Sequence, residues 1–201
     1  MRQPHSKITR ECPLASVLKT TGTLASVELK VSVFIELRGS GLSRTSTARL
    51  DMSKTRYDVS YTAPIAASPE SVYRVIADYR DGHPRILPSA FRNMVVEKGG
   101  VGAGTPTRFE VHAFGQTQSI RHEVFEPEPG RVLVERDRDV DSQTTFTVDP
   151  ADGGSQVTIH SELLSRSGIG GVIERFLSRR FLLRLYREEL ANLEREARRA
   201  G

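Results

Sequence analysis

Apolar and polar residues alternate along much of the chain, a pattern typical of strands with one buried and one exposed face. The clearest apolar faces are Phe109, Val111 and Ala113; Ile120, His122 and Val124; and Val157, Ile159 and Ser161. Short linkers rich in glycine, proline and acidic residues separate consecutive segments, which predicts an antiparallel meander. The predicted strands are Tyr57 to Ile65, Phe91 to Lys98, Thr105 to Phe114, Thr117 to Phe125, Arg131 to Asp137, Gln143 to Asp149 and Gln156 to Leu163.

Helical signals follow the first strand. Ser68 can accept from exposed backbone N–H groups at a helix start, and Pro69 fits the first turn, where its missing N–H costs nothing. Glu70 favours the positive end of the helix dipole. Apolar residues then recur at helical spacing at Val72, Val75, Ile76 and Tyr79. The segment Asp81 to Pro84 breaks this helix, and a second short helix or turn is expected within Arg85 to Ser89.

The longest helix is predicted at about Val172 to Arg199, and it carries two apolar stripes. The first stripe comprises Ile169, Val172, Ile173, Phe176, Leu183, Tyr186, Leu190, Leu193 and Ala197, and the second comprises Leu177, Phe181 and Leu185. Such a helix must cover more than one surface. Either the sheet and the short helices cover both stripes, or one stripe faces a ligand or a partner chain.

Charge divides the chain into two parts. Residues 1–56 contain ten Lys or Arg and four Asp or Glu, a net +6, whereas residues 57–201 carry a net −2, which together give +4. We therefore expect a domain at 57–201 without an overall bias toward nucleic acid. Residues 1–56 are expected to be an extension that is a disordered tail, a start-site artefact upstream of Met52, or an added edge strand at Val27 to Leu37.

Several classes of protein are disfavoured by composition. The sequence has no uncharged apolar run long enough for a membrane-spanning helix, and its most apolar N-terminal stretch is interrupted by charges. Cys12 is the single cysteine, so neither a disulfide framework nor a cysteine-based zinc site can form within one chain. A cytoplasmic location is expected by default.

The order of elements and a set of short motifs resemble the START/polyketide-cyclase (SRPBCC, Bet v 1-like) superfamily, in its bacterial polyketide cyclase/dehydrase-type branch. The motifs are Ala66 to Tyr73, Ala77 to Arg80, Val101 to Thr105, Glu128 to Leu133 and Asp152 to Val157. The resemblance covers about residues 57 to 199. One departure is the absence of a tryptophan after the first helix, where Arg85 to Pro88 stand instead.

The resemblance implies an α+β helix-grip fold, in which a curved antiparallel seven-stranded sheet wraps a long C-terminal helix, with two short helices after the first strand. It also implies a cavity for a small hydrophobic molecule such as a lipid or polyketide. This superfamily includes carriers, receptors and ring cyclases, so the fold alone does not decide the activity.

Candidate chemistry centres on His122 and Arg136. His122 shares a face with Ile120 and Val124, and on a cavity wall it would act as a general base or orient a carbonyl; otherwise it is a satisfied core histidine. Arg136 shares a face with Val134, and would bind an enolate or carboxylate if that face is internal, or lie near solvent if not. The predicted ligand-binding set is Tyr73, Tyr79, Phe109, Val111, Ile120, His122, Val124, Val134, Arg136, Phe146, Ile159 and Phe176.

No histidine pair at metal-binding spacing, nucleophile elbow or phosphate loop occurs, so we expect no metal site and no cofactor. Three functions remain. The first is binding or transport of a small hydrophobic ligand, and the second is a cyclase, aromatase or dehydratase that uses His122 and Arg136. The third is a protein-interaction or regulatory module. Such a module could form a dimer, and Phe181→Asp would then abolish its self-association.

Overall fold

The computed structural model describes residues 54–200, and residues 1–53 and 201 lie outside the described part of the chain. The predictions about Met52 and about a strand at Val27 to Leu37 therefore lie outside the described residues. In chain order the elements are β1 (Lys54–Ile65), α1 (Pro69–Ala77), α2 (Gly82–Ile86), β2 (Phe91–Val96), β3 (Pro106–Ala113), β4 (Gln116–Glu128), β5 (Val132–Asp137), β6 (Gln143–Ala151), β7 (Gly154–Arg166) and α3 (Gly168–Ala200).

The seven strands form one sheet in the order β1-β7-β6-β5-β4-β3-β2, and every neighbouring pair is antiparallel. Register shifts lie between Arg92 and Val95 in β2 and between Phe125 and Glu128 in β4. Such bulges bend and twist a strand. The predicted helix-grip fold, with a curved sheet around a long C-terminal helix, is confirmed.

The start of α1 follows the prediction. Ser68 is the N-cap residue, and its Oγ accepts a hydrogen bond from the backbone N–H of Ser71 at 3.3 Å, with proline in the first turn. The next helix, α2, begins at Gly82, three residues earlier than predicted. A Cβ at Gly82 would lie 2.6 Å from the carbonyl oxygen of Val75, so this close junction requires glycine.

The core lies between the concave face of the sheet and the helices. Its largest fully buried side chains include Tyr79, Phe146, Ile76, Ile86, Leu133, Ile159, Leu190 and Leu193. The C-terminal half of α3 supplies Leu185, Leu190 and Leu193 to this core. The first turns of α3 differ, because Ile169, Val172, Ile173 and Phe176 are exposed there. The predicted continuous stripe is therefore buried only in the second half of the helix.

No helix in the described part of the chain is long and apolar enough to cross a membrane. The start of β1 at Lys54 lies three residues before the predicted domain boundary, where Lys54 pairs with Arg166 at the end of β7.

Candidate functional site

A cavity of about 160 Å³ lies inside the molecule, between the concave face of the sheet and helices α2 and α3. Most of its wall is apolar, and the main contributors are Phe91, Phe109, Val111, Ile120, Phe146, Leu163 and Leu182. The remaining wall is polar and includes His83, His122, Glu135, Tyr186 and Glu189. An apolar pocket with a few convergent polar groups is the usual form of a small-molecule site.

Glu135 on β5 is the centre of the polar wall, and only 7% of it is exposed. The Tyr79 hydroxyl donates a hydrogen bond to Glu135 Oε1 at 2.6 Å. His83 Nε2 lies 3.4 Å from Oε1, and His122 Nδ1 lies 3.4 Å from Oε2. Both histidine distances exceed those of ordinary hydrogen bonds, and His122 Nδ1 is buried without a hydrogen-bond partner in the described part of the chain.

His83 adopts a defined tautomer at this site. Its Nδ1 lies 2.8 Å from the carbonyl oxygen of Ile76, which can only accept, so Nδ1 carries a proton. The ring is buried and stacks on Tyr79 with centroids 4.4 Å apart. Its Nε2 then faces Oε1 of Glu135 at 3.4 Å.

Opposing effects act on Glu135. Burial raises the pKa of Glu135, but the His122 contact, the charge of His83 and the Tyr79 hydrogen bond together lower that pKa from 4.5 to about 2. The pKa of Tyr79 rises well above its usual value, because the side chain is buried and lies beside the Glu135 carboxylate. Glu135 is therefore ionised and Tyr79 is neutral.

Glu189 on α3 lines the same cavity in the opposite state. It is 5% exposed, and no cation forms an ion pair with it in the described part of the chain. Burial, and to a smaller extent the charge of Glu135, raise the pKa of Glu189 well above its usual value. Glu189 is therefore a neutral carboxylic acid that can donate a hydrogen bond.

A hydroxyl chain extends the polar wall. The Tyr186 hydroxyl donates to Ser161 Oγ at 2.6 Å, and Ser161 Oγ lies 2.7 Å from Thr144 Oγ1. All three side chains line the cavity. The site thus combines a carboxylate held by two histidines, a protonated carboxyl group and a string of hydroxyl groups.

Five residues of the predicted ligand-binding set line the cavity. They are Phe109, Val111, Ile120, His122 and Phe146. His122 is held edge-on against Phe109 with ring centroids 4.9 Å apart. Val124 and Ile159 are fully buried in the core beyond the cavity wall. Tyr79 supports the site through Glu135, whereas the Tyr73 hydroxyl donates to Glu126 Oε1 at 2.7 Å, away from the cavity.

Three members of the predicted set point elsewhere, which corrects their expected inward orientation. Arg136 is exposed and lies over the ring of Phe125 at 4.9 Å, on the outer face of β5. Val134 lies on that same face, opposite Phe125 of β4. Leu133 and Glu135 occupy the inner face instead. Phe176 is 61% exposed on the first half of α3.

Sequence reasoning missed Glu135, Glu189 and His83. Both faces of β5 contain apolar residues, so alternation did not identify the inner one. For Glu189 a signal existed, since it lies four residues from Leu185 and four from Leu193, two apolar residues of α3 that are both buried. His83 was read only as part of a helix break. No group of three His, Cys, Asp or Glu side chains that could hold a metal ion occurs among residues 54–200.

Comparisons with known proteins agree with this architecture. A family model described as polyketide cyclase/dehydrase and lipid transport matches residues 56–198. The solution structure of the KanY protein is similar, with 27% identity, a TM-score of 0.63 and coverage of 72% of this chain and 99% of that one. The ZhuI aromatase/cyclase from Streptomyces sp. R1128 has 20% identity and a TM-score of 0.57, with coverage of 72% and 95%.

A third similar structure is the di-domain aromatase/cyclase StfQ of the steffimycin biosynthetic pathway. It shares 16% identity with a TM-score of 0.59, over 72% of this chain and 51% of that one. At such identities the likeness of ZhuI and StfQ concerns the fold. A search of curated proteins finds no significant match.

Proposed function

Because the chain belongs to the polyketide cyclase/dehydrase and lipid transport family, we propose that its cavity binds a small, largely apolar molecule that carries a polar group at one end. The observation that carries this proposal is the division of the wall into an apolar part and a polar part centred on Glu135. Apolar contacts would supply most of the affinity, and the polar wall would set the orientation.

The protonation states specify the polar group. Neutral Glu189 donates a hydrogen bond, which suits a carbonyl oxygen of the ligand. His122 directs Nδ1 toward Glu135, which leaves Nε2 as an acceptor for a hydroxyl group. A ligand that combines a carbonyl and a hydroxyl, such as a hydroxy ketone or a phenolic ketone, therefore fits both groups.

The size of the space limits the ligand. About 160 Å³ is less than the roughly 300–1,000 Å³ typical of sites for drug-sized molecules. A second recess of about 280 Å³ adjoins the cavity, and both are lined by Ile120, Asp137, Ser142 and Leu163. A compact ring system would occupy the cavity, and a longer chain would extend into the recess.

Filling the cavity should weaken ligand binding. We expect Ile120→Trp to weaken binding of the neutral fluorescent probe 1-aminoanthracene at least about tenfold, because the indole would occupy the space that the probe needs. Fluorescence titration measures the dissociation constant. The matched control is Ser119→Trp, whose side chain is exposed on the same strand, and which should bind the probe like the unmodified protein.

Equal affinity in the two variants would show that the probe does not enter this cavity, and the ligand proposal would fail. Native mass spectrometry of the protein purified from its own host then identifies any retained molecule. The chemical class of a retained molecule tests the expected combination of carbonyl and hydroxyl groups.

One observation favours a second function, acid–base catalysis. The cavity brings together a histidine supported by a carboxylate and a carboxyl group kept protonated by burial. Such divergent environments are typical of acid and base pairs. In a β-hydroxy ketone, His122 would remove the proton next to the carbonyl while Glu189 protonates the leaving hydroxyl, which departs as water and leaves a conjugated enone.

This reaction can be tested with the aldol adduct of benzaldehyde and acetone, whose dehydration is followed by ultraviolet absorbance. We expect His122→Gln to lower kcat about a hundredfold or more with a smaller change in KM. His160→Gln, on β7 outside the cavity, is the control and should retain the rate. A rate unaffected by His122→Gln, or no dehydration by the unmodified protein, would contradict the catalytic function. Ligand binding would then be the only function proposed for the cavity.

A further inference from the structure

The exposed apolar side chains gather at one end of the molecule. In the described part of the chain nine large apolar residues are exposed, and six of them lie at this end: Phe114, Val140, Ile169, Val172, Ile173 and Phe176. Strands β3, β5 and β7 run in the same direction, because each is separated from the next by one antiparallel strand. The segments that follow these strands therefore meet at one edge of the sheet.

This end is also where the interior approaches the surface. The recess beside the cavity is lined by Val140, by Leu164 and by Glu174 and Ser178 of α3. Part of the wall between Ile120 and Leu163 belongs to both the recess and the cavity. Phe114, at the tip of the β3–β4 turn, packs on Phe181 with centroids 5.4 Å apart, and Phe181 lines the cavity. The apolar patch thus surrounds the route from the cavity to the outside.

Arginines continue the same face of α3. Ile169, Ile173, Phe176, Arg180 and Arg184 are spaced by three or four residues, so they lie along one side of the helix, and all are exposed. The first turns of that side are apolar and the next are basic. Ile169 is 83% exposed and Phe176 is 61% exposed, which leaves the apolar part without a cover in the described residues.

The arginines carry uncompensated charge. Neither Arg180 nor Arg184 forms an ion pair with residues 54–200. Three acidic side chains near this end are paired with other arginines: Asp141 contacts Arg56 at 2.5 Å, Asp139 contacts Arg121 at 2.6 Å, and Glu174 contacts Arg166 at 3.2 Å. Asp137 forms no ion pair in the described residues, and its Oδ1 accepts hydrogen bonds from the backbone N–H groups of Asp139 and Val140. The overall charge of residues 57–201, which is slightly negative, hides this local positive face.

We propose that this end of the molecule docks on an anionic phospholipid surface, with the apolar first turns of α3 in the interface and Arg180 and Arg184 against the phosphate groups. An amphipathic element with apolar side chains at one part and arginines beside it is suited to the boundary between lipid tails and headgroups. The charge complementarity favours a membrane over a second copy of this chain, whose arginines would meet like charges. Docking would place the route to the cavity at the bilayer surface.

The test is vesicle co-sedimentation of the full chain, without added ligand. We expect binding to vesicles of equimolar phosphatidylcholine and phosphatidylglycerol, weakening at high salt, and little binding to pure phosphatidylcholine. The double variant Arg180→Glu/Arg184→Glu should bind at least about tenfold more weakly, since each basic residue near such a surface contributes roughly 1 kcal/mol. Its control, Arg195→Glu/Arg198→Glu, has the same charge change at the far end of α3 and should bind normally.

Phe176→Asp tests the apolar part, with Val101→Asp as its control, because Val101 is exposed in the β2–β3 loop at the opposite end. Only Phe176→Asp should reduce binding, and circular dichroism checks that both variants fold. Equal binding by test and control variants would overturn the proposal and assign any vesicle binding to other basic residues, such as those of residues 1–53. Absence of vesicle binding together with a concentration-dependent mass that Phe176→Asp abolishes would overturn it in favour of self-association.

Because no ligand is added, failure of vesicle binding leaves the probe titration of the Ile120 variant unaffected. The two proposals can therefore fail separately.

Discussion

Glu135→Gln is expected to lower the free energy of unfolding by about 3 kcal/mol at about pH 7, because it leaves buried partners of a carboxylate without their counter-charge. The amide cannot satisfy Tyr79, His83 and His122 together, since its NH₂ group donates where an acceptor is needed. Urea unfolding followed by circular dichroism measures the change.

The loss of unfolding free energy on Glu135→Gln should depend on pH. The pKa of Glu135 is lowered from 4.5 to about 2 in the folded protein, so its stabilising contribution is complete above about 4.5 and is lost as the pH falls toward 2. The difference between Glu135→Gln and the unmodified protein should therefore shrink over that interval.

The control is Glu123→Gln on β4, where the carboxylate is 43% exposed and 4.0 Å from Arg138. An exposed pair of this kind contributes little, so we expect a change within about 0.5 kcal/mol. A Glu135 variant as stable as the Glu123 variant would contradict the interpretation that Glu135 is the electrostatic centre of the polar wall.

Glu189→Gln is expected to have the opposite effect and to stabilise the protein by on the order of 2 kcal/mol at about pH 7. Glu189 is held neutral in the folded state, because burial raises its pKa. Below about pH 4.5 the carboxyl group is neutral in both states and costs nothing. Above that pH the unfolded chain ionises, so the free energy of unfolding falls as the pH rises. Gln keeps the neutral shape of the carboxylic acid and removes this loss.

Thermal unfolding at several pH values tests this expectation. The gain from Glu189→Gln should vanish near pH 4, where Glu is protonated in both states. Glu194→Gln, which removes an exposed carboxylate 3.9 Å from Arg198 on the same helix, should show no such dependence. A loss of stability on Glu189→Gln at about pH 7 would mean that the carboxyl is ionised and paired.

The two effects are coupled, because the charge of Glu135 contributes to the raised pKa of Glu189. In a double variant the stabilisation from Glu189→Gln should be smaller than in the unmodified background. A buried acid that costs stability at neutral pH is the kind of residue that ligand binding or catalysis retains.

The sequence determined the order of elements, because the signals for them are local. Alternation, glycine-rich turns and the Ser68 cap each act within a few residues, and they predicted seven strands and a long C-terminal helix correctly. Motifs spread over the domain were enough to indicate the family. Alternation also grouped His122 with Ile120 and Val124 on one face of β4, and in the structure His122 lines the cavity.

Only the tertiary structure decided the chemistry of the site. The pair Tyr79 and His83 lies far in sequence from His122, Glu135 and Glu189, and the protonation states of the two glutamates arise from contacts that exist only when four elements and the α1–α2 junction converge. The inner face of β5 was also undetermined, because both of its faces contain apolar residues, and only packing in the folded protein places Leu133 and Glu135 inside and Arg136 outside. Tertiary packing likewise decided the burial of α3, because the same amphipathic pattern is core in its second half and exposed surface in its first.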